Sequence, residues 1–208
     1  MRFSHYNETV LEQWIYQYFR SNNVVTPTDL DIEVIAAIFE IDLEYVNCKS
    51  FSDNEEMVIF LDRREDPIVT RMIFFHELCH VLRHAGDQRR MPELFKNAQE
   101  AEADHFVLYA AMPFYMISQM SLPERRNEAI AYIASEFRVT TEIAEKRIDQ
   151  IYRRILGGQL LKVANTITRP AQENHHKPEP DANWSDETKR ILSQLHRQLI
   201  IRGRVANE

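Results

Sequence analysis

The chain has 208 residues and only 4 glycines, at positions 86, 157, 158 and 203; average usage of about 7% would give roughly 15. So few cannot build the loops that let backbone amides cradle phosphates, which excludes the common nucleotide-binding fingerprints along with collagen-like and Gly/Ser-rich classes. Residues 1–120 hold 10 Lys and Arg against 20 Asp and Glu (−10), and residues 121–208 hold 15 against 12 (+3), giving −7 overall, so the front half lacks the clustered cations that nucleic acid requires.

Val10, Leu11, Trp14, Ile15, Tyr18 and Phe19 recur at helical spacing, which predicts an amphipathic helix over 8–20. Asn22 to Asp31 reads as a turn around Pro27, and Asp31 is placed to cap a helix carrying Ile32, Ile35, Ile38 and Phe39. Alternation of Ile41, Leu43 and Tyr45 predicts a strand, and the apolar run 57–61 a buried one, with Asn54 in the turn between them. Asp66-Pro67 is a helix start, a capping carboxylate followed by proline at the first position. That helix is expected to run from about 67 to 85 and to stop at Gly86.

After a polar segment at 87–97, helical spacing resumes over 98–112 and ends at Pro113. Two more helices fit 123–136 and 140–156, the second stopping at Gly157-Gly158. Residues 165–185 are polar and proline-rich, the composition of a disordered linker. A last amphipathic helix at 186–202 carries Ile191, Leu192, Leu195 and Leu199. The expected fold class is α+β and mainly helical, with a small two- or three-stranded sheet and a C-terminal helical extension. The expected divisions are 1–120, a helical part at 121–164, the linker at 165–185 and a helical end at 186–208.

Cys48 and Cys79 cannot make a disulfide framework. No secretory pattern and no 18-residue apolar stretch is visible, so a cytoplasmic protein with reduced thiols and no membrane partner is expected.

Chemistry concentrates in Phe75-His76-Glu77-Leu78-Cys79-His80. Positions four apart on a helix differ by about 40° and lie one turn apart, so His76 and His80 offer two imidazoles to one point. Neutral imidazole suits a borderline ion such as zinc. Glu77 stands beside them as a base for a water molecule. A catalytic zinc needs a third protein ligand. The acidic run Glu100-Ala101-Glu102-Ala103-Asp104 lies on the next predicted helix, and an antiparallel pair would bring it back over the first. Glu100 and Asp104 share a face, so one can bind metal while the other accepts the N–H of a ligating histidine. Glu102 sits about 200° away and cannot share that role. Periodicity alone leaves open which carboxylate is the ligand.

The run from His76 to His84, then Glu100 to Phe106, then Ala111-Met112-Pro113, resembles the ImmA/IrrE metallopeptidases. Thr26-Pro27-Thr28-Asp29-Leu30, the Phe-Phe pair before the motif, Phe137-x-Val139-Thr140 and Arg147 extend the likeness over residues 8–156. Length and layout are similar to a prophage-encoded member. The resemblance implies a zincin-like domain over 1–120 and a gluzincin-like zinc endopeptidase. It implies His76, His80 and Glu100 as metal ligands, Glu77 as catalytic base and Asp104 in support; the Met112-Pro113 register selects Glu100 over Glu102. Where the family usually has glycine, this chain has Cys79, which reads as a packing residue and whose oxidation would disturb His80. Manganese or iron would also suit these donors.

A donor for the tetrahedral oxyanion is still required, and His84, His105 and Tyr109 are the candidates. The resemblance also implies a substrate: a helix-turn-helix repressor of the phage type. Two rivals stand beside it, a non-catalytic metal-containing module that acts as an anti-repressor by contact, and a DNA-binding regulator using residues 125–156. Helix 140–156 has a surplus of only one cation, too few for a DNA reader, so the +3 half is expected to dock protein rather than nucleic acid.

Overall fold

Thr9 starts the first helix, α1 (Val10–Ser21), in a computed structural model that describes residues 3–84 and 91–168. The Thr9 hydroxyl accepts the Glu12 N–H at 3.2 Å and the Glu12 carboxylate accepts the Thr9 N–H at 3.0 Å, a reciprocal cap that satisfies two orphan donors. A single 3₁₀ turn at Pro27–Asp29 leads to α2 (Ile32–Ile38), capped by the Asp31 carboxylate as expected. Three strands follow: β1 (Asp42–Val46), β2 (Phe51–Asp53) and β3 (Val58–Asp62). Their order is β1-β3-β2, with β1 parallel and β2 antiparallel to β3.

The sheet leads into α3 (Pro67–Arg83), whose first turn is closed by the Asp66 carboxylate on the Ile68 N–H. Next come α4 (Glu93–Ala110), the short α5 (Phe114–Ile117), α6 (Arg126–Phe137) and α7 (Thr141–Thr168). The protein is therefore α+β, mainly helical with one small mixed sheet. Met1–Ala164 form one compact unit. Its core joins Phe74, Phe75, Leu78 and Cys79 of α3, Ala103, Phe106 and Ala110 of α4, Ile59 and Leu61 of β3, and Ile133 and Phe137 of α6.

Four elements differ from the sequence expectations. Strand β2 was unforeseen, because Phe51-Ser52-Asp53 is too short and polar to show a period; its Phe51 ring stacks on its cross-strand partner Phe60, with centroids 4.5 Å apart. Helix α4 begins five residues before Ala98, right after Pro92, and α5 follows Pro113 where a stop was expected. Helix α7 does not stop at Gly157-Gly158 but runs on to Thr168. Glycine costs a helix interior about 1 kcal/mol relative to alanine, which packing can offset. A Cβ at position 158 would lie 2.1 Å from the His5 carbonyl oxygen, so Gly158 lets the N-terminal segment cross α7 at backbone distance. Gly86 as a helix stop, the linker beyond Thr168 and the helix at 186–202 lie outside the described residues.

One buried polar network ties the two ends of this unit together. Arg147 on α7 is fully buried and donates to Glu12 on α1 at 2.9 Å, to the Met112 carbonyl at 3.2 Å and to Gln150 at 2.6 Å. Arg154 also pairs with Glu12, and the Tyr6 hydroxyl donates to it at 2.5 Å. Burial pushes the Glu12 carboxyl up, but Arg147, the Tyr6 hydroxyl and the Thr9 amide outweigh it and hold the group below its ordinary value. A carboxyl held low stabilises the fold above its unfolded pKa and loses that contribution as pH falls through the folded one. Stability should therefore decline on acidification below about pH 4.5, and in Glu12→Gln that part of the pH dependence should vanish at a cost of about 3–5 kcal/mol at pH 7, read by urea unfolding. In the same assay Gly157→Ala, which meets open space, should stabilise by about 0.5–1 kcal/mol, whereas Gly158→Ala should destabilise by about 1–3 kcal/mol.

Candidate metal centre

Helices α3 and α4 pack face to face, and partners run in opposite order along them: His76 meets Asp104, while His80 meets Glu100. The pair is antiparallel, as the polar loop between them suggested. On α4 the buried stripe is Ala103, Phe106, Val107 and Ala110. At 100° per residue, Glu100 and Asp104 flank this stripe on one side and Glu102 on the other.

Nε2 of His76 lies 3.1 Å from Nε2 of His80 and 3.3 Å from Oε2 of Glu100. Nε2 of His80 lies 3.7 Å from Oε1 of Glu100. One donor atom from each of the three residues falls within 4.8 Å of the others, the one such group found among the described residues. Burial, and then the facing His76 ring, bring the His80 pKa down to about 4. His80 is therefore neutral at pH 7, the form that offers a lone pair to a metal. Two imidazoles and one carboxylate suit a divalent borderline cation in donor type.

Glu77 lies on the same helix beside His76, and its Oε2 accepts the Ser52 hydroxyl at 2.6 Å. No sequence pattern points to Ser52, because β2 itself is not legible there. His76, Glu77, Asp104 and His105 open onto a cleft of about 880 Å³. Its far wall is α7, with Ile143, Lys146, Gln150 and Arg153. Asp104 is exposed, and its Oδ1 lies 3.5 Å from Nδ1 of His76, on the ring edge opposite the Glu100 contact.

Of the three candidate oxyanion donors, only His105 lines the cleft. Tyr109 is buried, its hydroxyl taken by Gln150 at 3.0 Å and by Arg154. His84 is buried behind His80, with Nδ1 at 2.8 Å from Nδ1 of His80 and Nε2 at 3.4 Å from Glu102. Glu102 is turned away from the His76–His80–Glu100 group and accepts Nε–H of Arg83 at 2.6 Å. Burial pushes the Glu102 carboxyl up, but Arg83 and His84 outweigh it and hold it below the ordinary carboxylate range.

Fold and site together define a mainly helical protein that offers a His-His-Glu set and an adjacent carboxylate from two antiparallel helices. The chain belongs to the peptidase M78 family, whose IrrE N-terminal-like domain matches residues 29–149. It is 34% identical over 154 residues to the phage-like element PBSX protein XkdA of Bacillus subtilis strain 168, covering 73% of this chain and 78% of that protein. It is 28% identical over 152 residues to the uncharacterized protein YqaB of the same organism, covering 72% and 88%. Membership supports a metallopeptidase-like role. No helix among the described residues is long and apolar enough to cross a membrane.

Cys79, next to His80, is fully buried, and burial followed by the Glu102 charge pushes its thiol up to about 12. Thiolate is the reactive form, so Cys79 is shielded from the oxidation its position invites. A disulfide thiol reagent should titrate one thiol in the native chain, the exposed Cys48, and two after denaturation.

Proposed function

We propose that this protein is a zinc-dependent endopeptidase that hydrolyses peptide bonds in a protein substrate, and that the substrate is a helix-turn-helix repressor of the phage type. The convergence of His76, His80 and Glu100 beside Glu77 carries the activity. The substrate rests on family resemblance and on similarity to a protein of a phage-like element. Such a protease would act in the cytoplasm, where the repressor is.

His76, His80 and Glu100 would hold the ion, and Asp104 would fix His76 through its Nδ1. A bound divalent cation would supply Lewis acidity, acidifying water and polarising the scissile carbonyl. Glu77 takes the proton of the attacking water and returns it to the leaving amine. Ser52, by donating to Oε2, fixes the carboxylate plane so that Oε1 can receive that proton. His105, exposed on the cleft wall, would donate to the developing oxyanion. Arg153 on the opposite wall belongs to the +3 half and would contact the bound chain.

Protein docking is favoured over DNA contact by the fate of four of the seven cations at 125–156. Arg126 pairs with Glu145 and Asp149, Lys146 with Glu142, and Arg147 and Arg154 with Glu12. Charges neutralised within the protein release no counterions from a phosphate backbone.

Metal analysis of the purified chain should find about one zinc per molecule, lost in Glu100→Ala. Loss in Glu102→Ala with retention in Glu100→Ala would reverse the ligand assignment, and manganese or iron in place of zinc would correct the metal. Glu77→Gln should keep the metal and slow cleavage of a co-expressed repressor about 10²–10⁴-fold. Ser52→Ala should keep the metal and lower kcat about 10-fold, as expected for losing one hydrogen bond to a charged group. Repressor relief that persists in Glu77→Gln would mark the non-catalytic anti-repressor module instead, and salt-dependent binding of operator DNA would mark the DNA-binding regulator.

A further inference from the structure

The motif His76 to His80 leaves one histidine of α3 unused. His84 sits one further turn along, 8% exposed, at the residue where the helix ends. Both ring nitrogens are engaged, and neither faces the cleft. Its own backbone is pinned twice: its N–H donates to the His80 carbonyl at 3.2 Å, and its carbonyl accepts Nδ2–H of Asn54 at 2.8 Å. Beyond it, Glu102 is clamped by Arg83, whose guanidinium lies over the Trp14 ring at 5.8 Å. A continuous series of contacts thus runs from α1 through Arg83, Glu102 and His84 to the back of His80.

The proposed metal set fixes the hydrogen polarity along this series. Nε2 of His80 points into the His76–His80–Glu100 group and must keep its lone pair there. The proton of the neutral ring then sits on Nδ1 and is donated across 2.8 Å to Nδ1 of His84. His84 must accept on Nδ1, so its own proton is on Nε2, directed at the Glu102 carboxylate 3.4 Å away. Glu102 accepts from both His84 and Arg83. With a neutral His84, reversing the His80 tautomer would set its bare Nδ1 against the bare Nδ1 of His84, or force the His84 proton away from Glu102.

We propose that His84 is the positioning residue for His80: held by Glu102 and Arg83, it accepts the Nδ1–H of His80 and so aims the Nε2 lone pair of His80 into the metal set. A ligating histidine usually donates its second nitrogen directly to a carboxylate or carbonyl; here a second imidazole stands between ligand and carboxylate. The assignment rests on the proposed metal site, and the experiment separates the two.

Zinc affinity of the full chain is measured by competition with a chromophoric chelator, and the tautomer of His80 in the metal-free chain is read from long-range ¹H–¹⁵N NMR correlations. Wild type should bind zinc and show His80 protonated on Nδ1. His84→Leu, which removes the acceptor, should weaken zinc binding about 10–100-fold and shift His80 towards the Nε2-protonated form. His84→Asn places a carbonyl oxygen near the former Nδ1 and should recover most of the affinity and the tautomer. Glu102→Gln should give an intermediate loss and tests the series should the leucine variant fail to fold. Unchanged zinc affinity in His84→Leu, or an asparagine variant no better than the leucine one, overturns the proposal. A wild-type chain that binds no zinc overturns the metal reading itself, whatever the variants do.

Discussion

The close antiparallel contact of α3 with α4 is the constraint on which the site depends. Phe74, Phe75, Leu78 and Cys79 bury one side of α3 completely, which fixes its rotation about its own axis. With the rotation fixed, His76, Glu77 and His80 emerge together on the opposite face. On α4 the residue at the centre of the contact is Ala103, fully buried. Its small side chain lets carboxylates from both flanks of α4 reach α3, Glu100 on one side and Glu102 on the other. The hydrophobic contact thus sets distances that the polar groups could not enforce alone, since each ion pair is weak and partly solvated.

Features governed by local spacing were legible in the sequence. The caps at Asp31 and Asp66, the helical face shared by His76 and His80, and the matching face of Glu100 and Asp104 all follow from one helical period. What escaped depends on partners distant in sequence or on which edge of a ring faces inward. Tyr109 looked available because nothing nearby occupies its hydroxyl; Gln150 and Arg154 do so from α7. His84 carries no local mark that distinguishes a ring behind His80 from one beside the cleft. Ser52 sits on a three-residue strand whose existence depends on β3 pairing with it. The need for glycine at position 158 of α7 comes from His5, more than 150 residues earlier in the chain.

The charge asymmetry takes a different meaning in three dimensions. A surplus of +3 in the back half suggested an open basic surface, yet Arg147 is wholly buried and Arg154 is shared with the same carboxylate, Glu12. These cations act as internal ties between the first helix and the last described one. Desolvating them is costly, and the cost is offset by the Glu12 carboxylate, the Met112 carbonyl and Gln150. Gln150 also lines the cleft, so the tie that holds α7 to α1 supports one wall of the proposed substrate site as well.

The β2–β3 hairpin touches α3 and its C-terminal cap at two places, through Ser52 on Glu77 and through Asn54 on the carbonyl of His84. Side chains alternate along a strand, and Ser52 pairs with the buried Ile59 while Phe51 pairs with Phe60 on the other face. A slip of one residue would bring either Phe51, which has no donor, or Asp53, a second carboxylate, against Glu77. The hairpin therefore works as a gauge block: its length in whole residues sets both the partner of Glu77 and the anchoring of the far end of α3. A single-residue insertion or deletion at residues 54–57, an exposed turn where loops ordinarily tolerate length changes, would be read directly at the centre of the molecule.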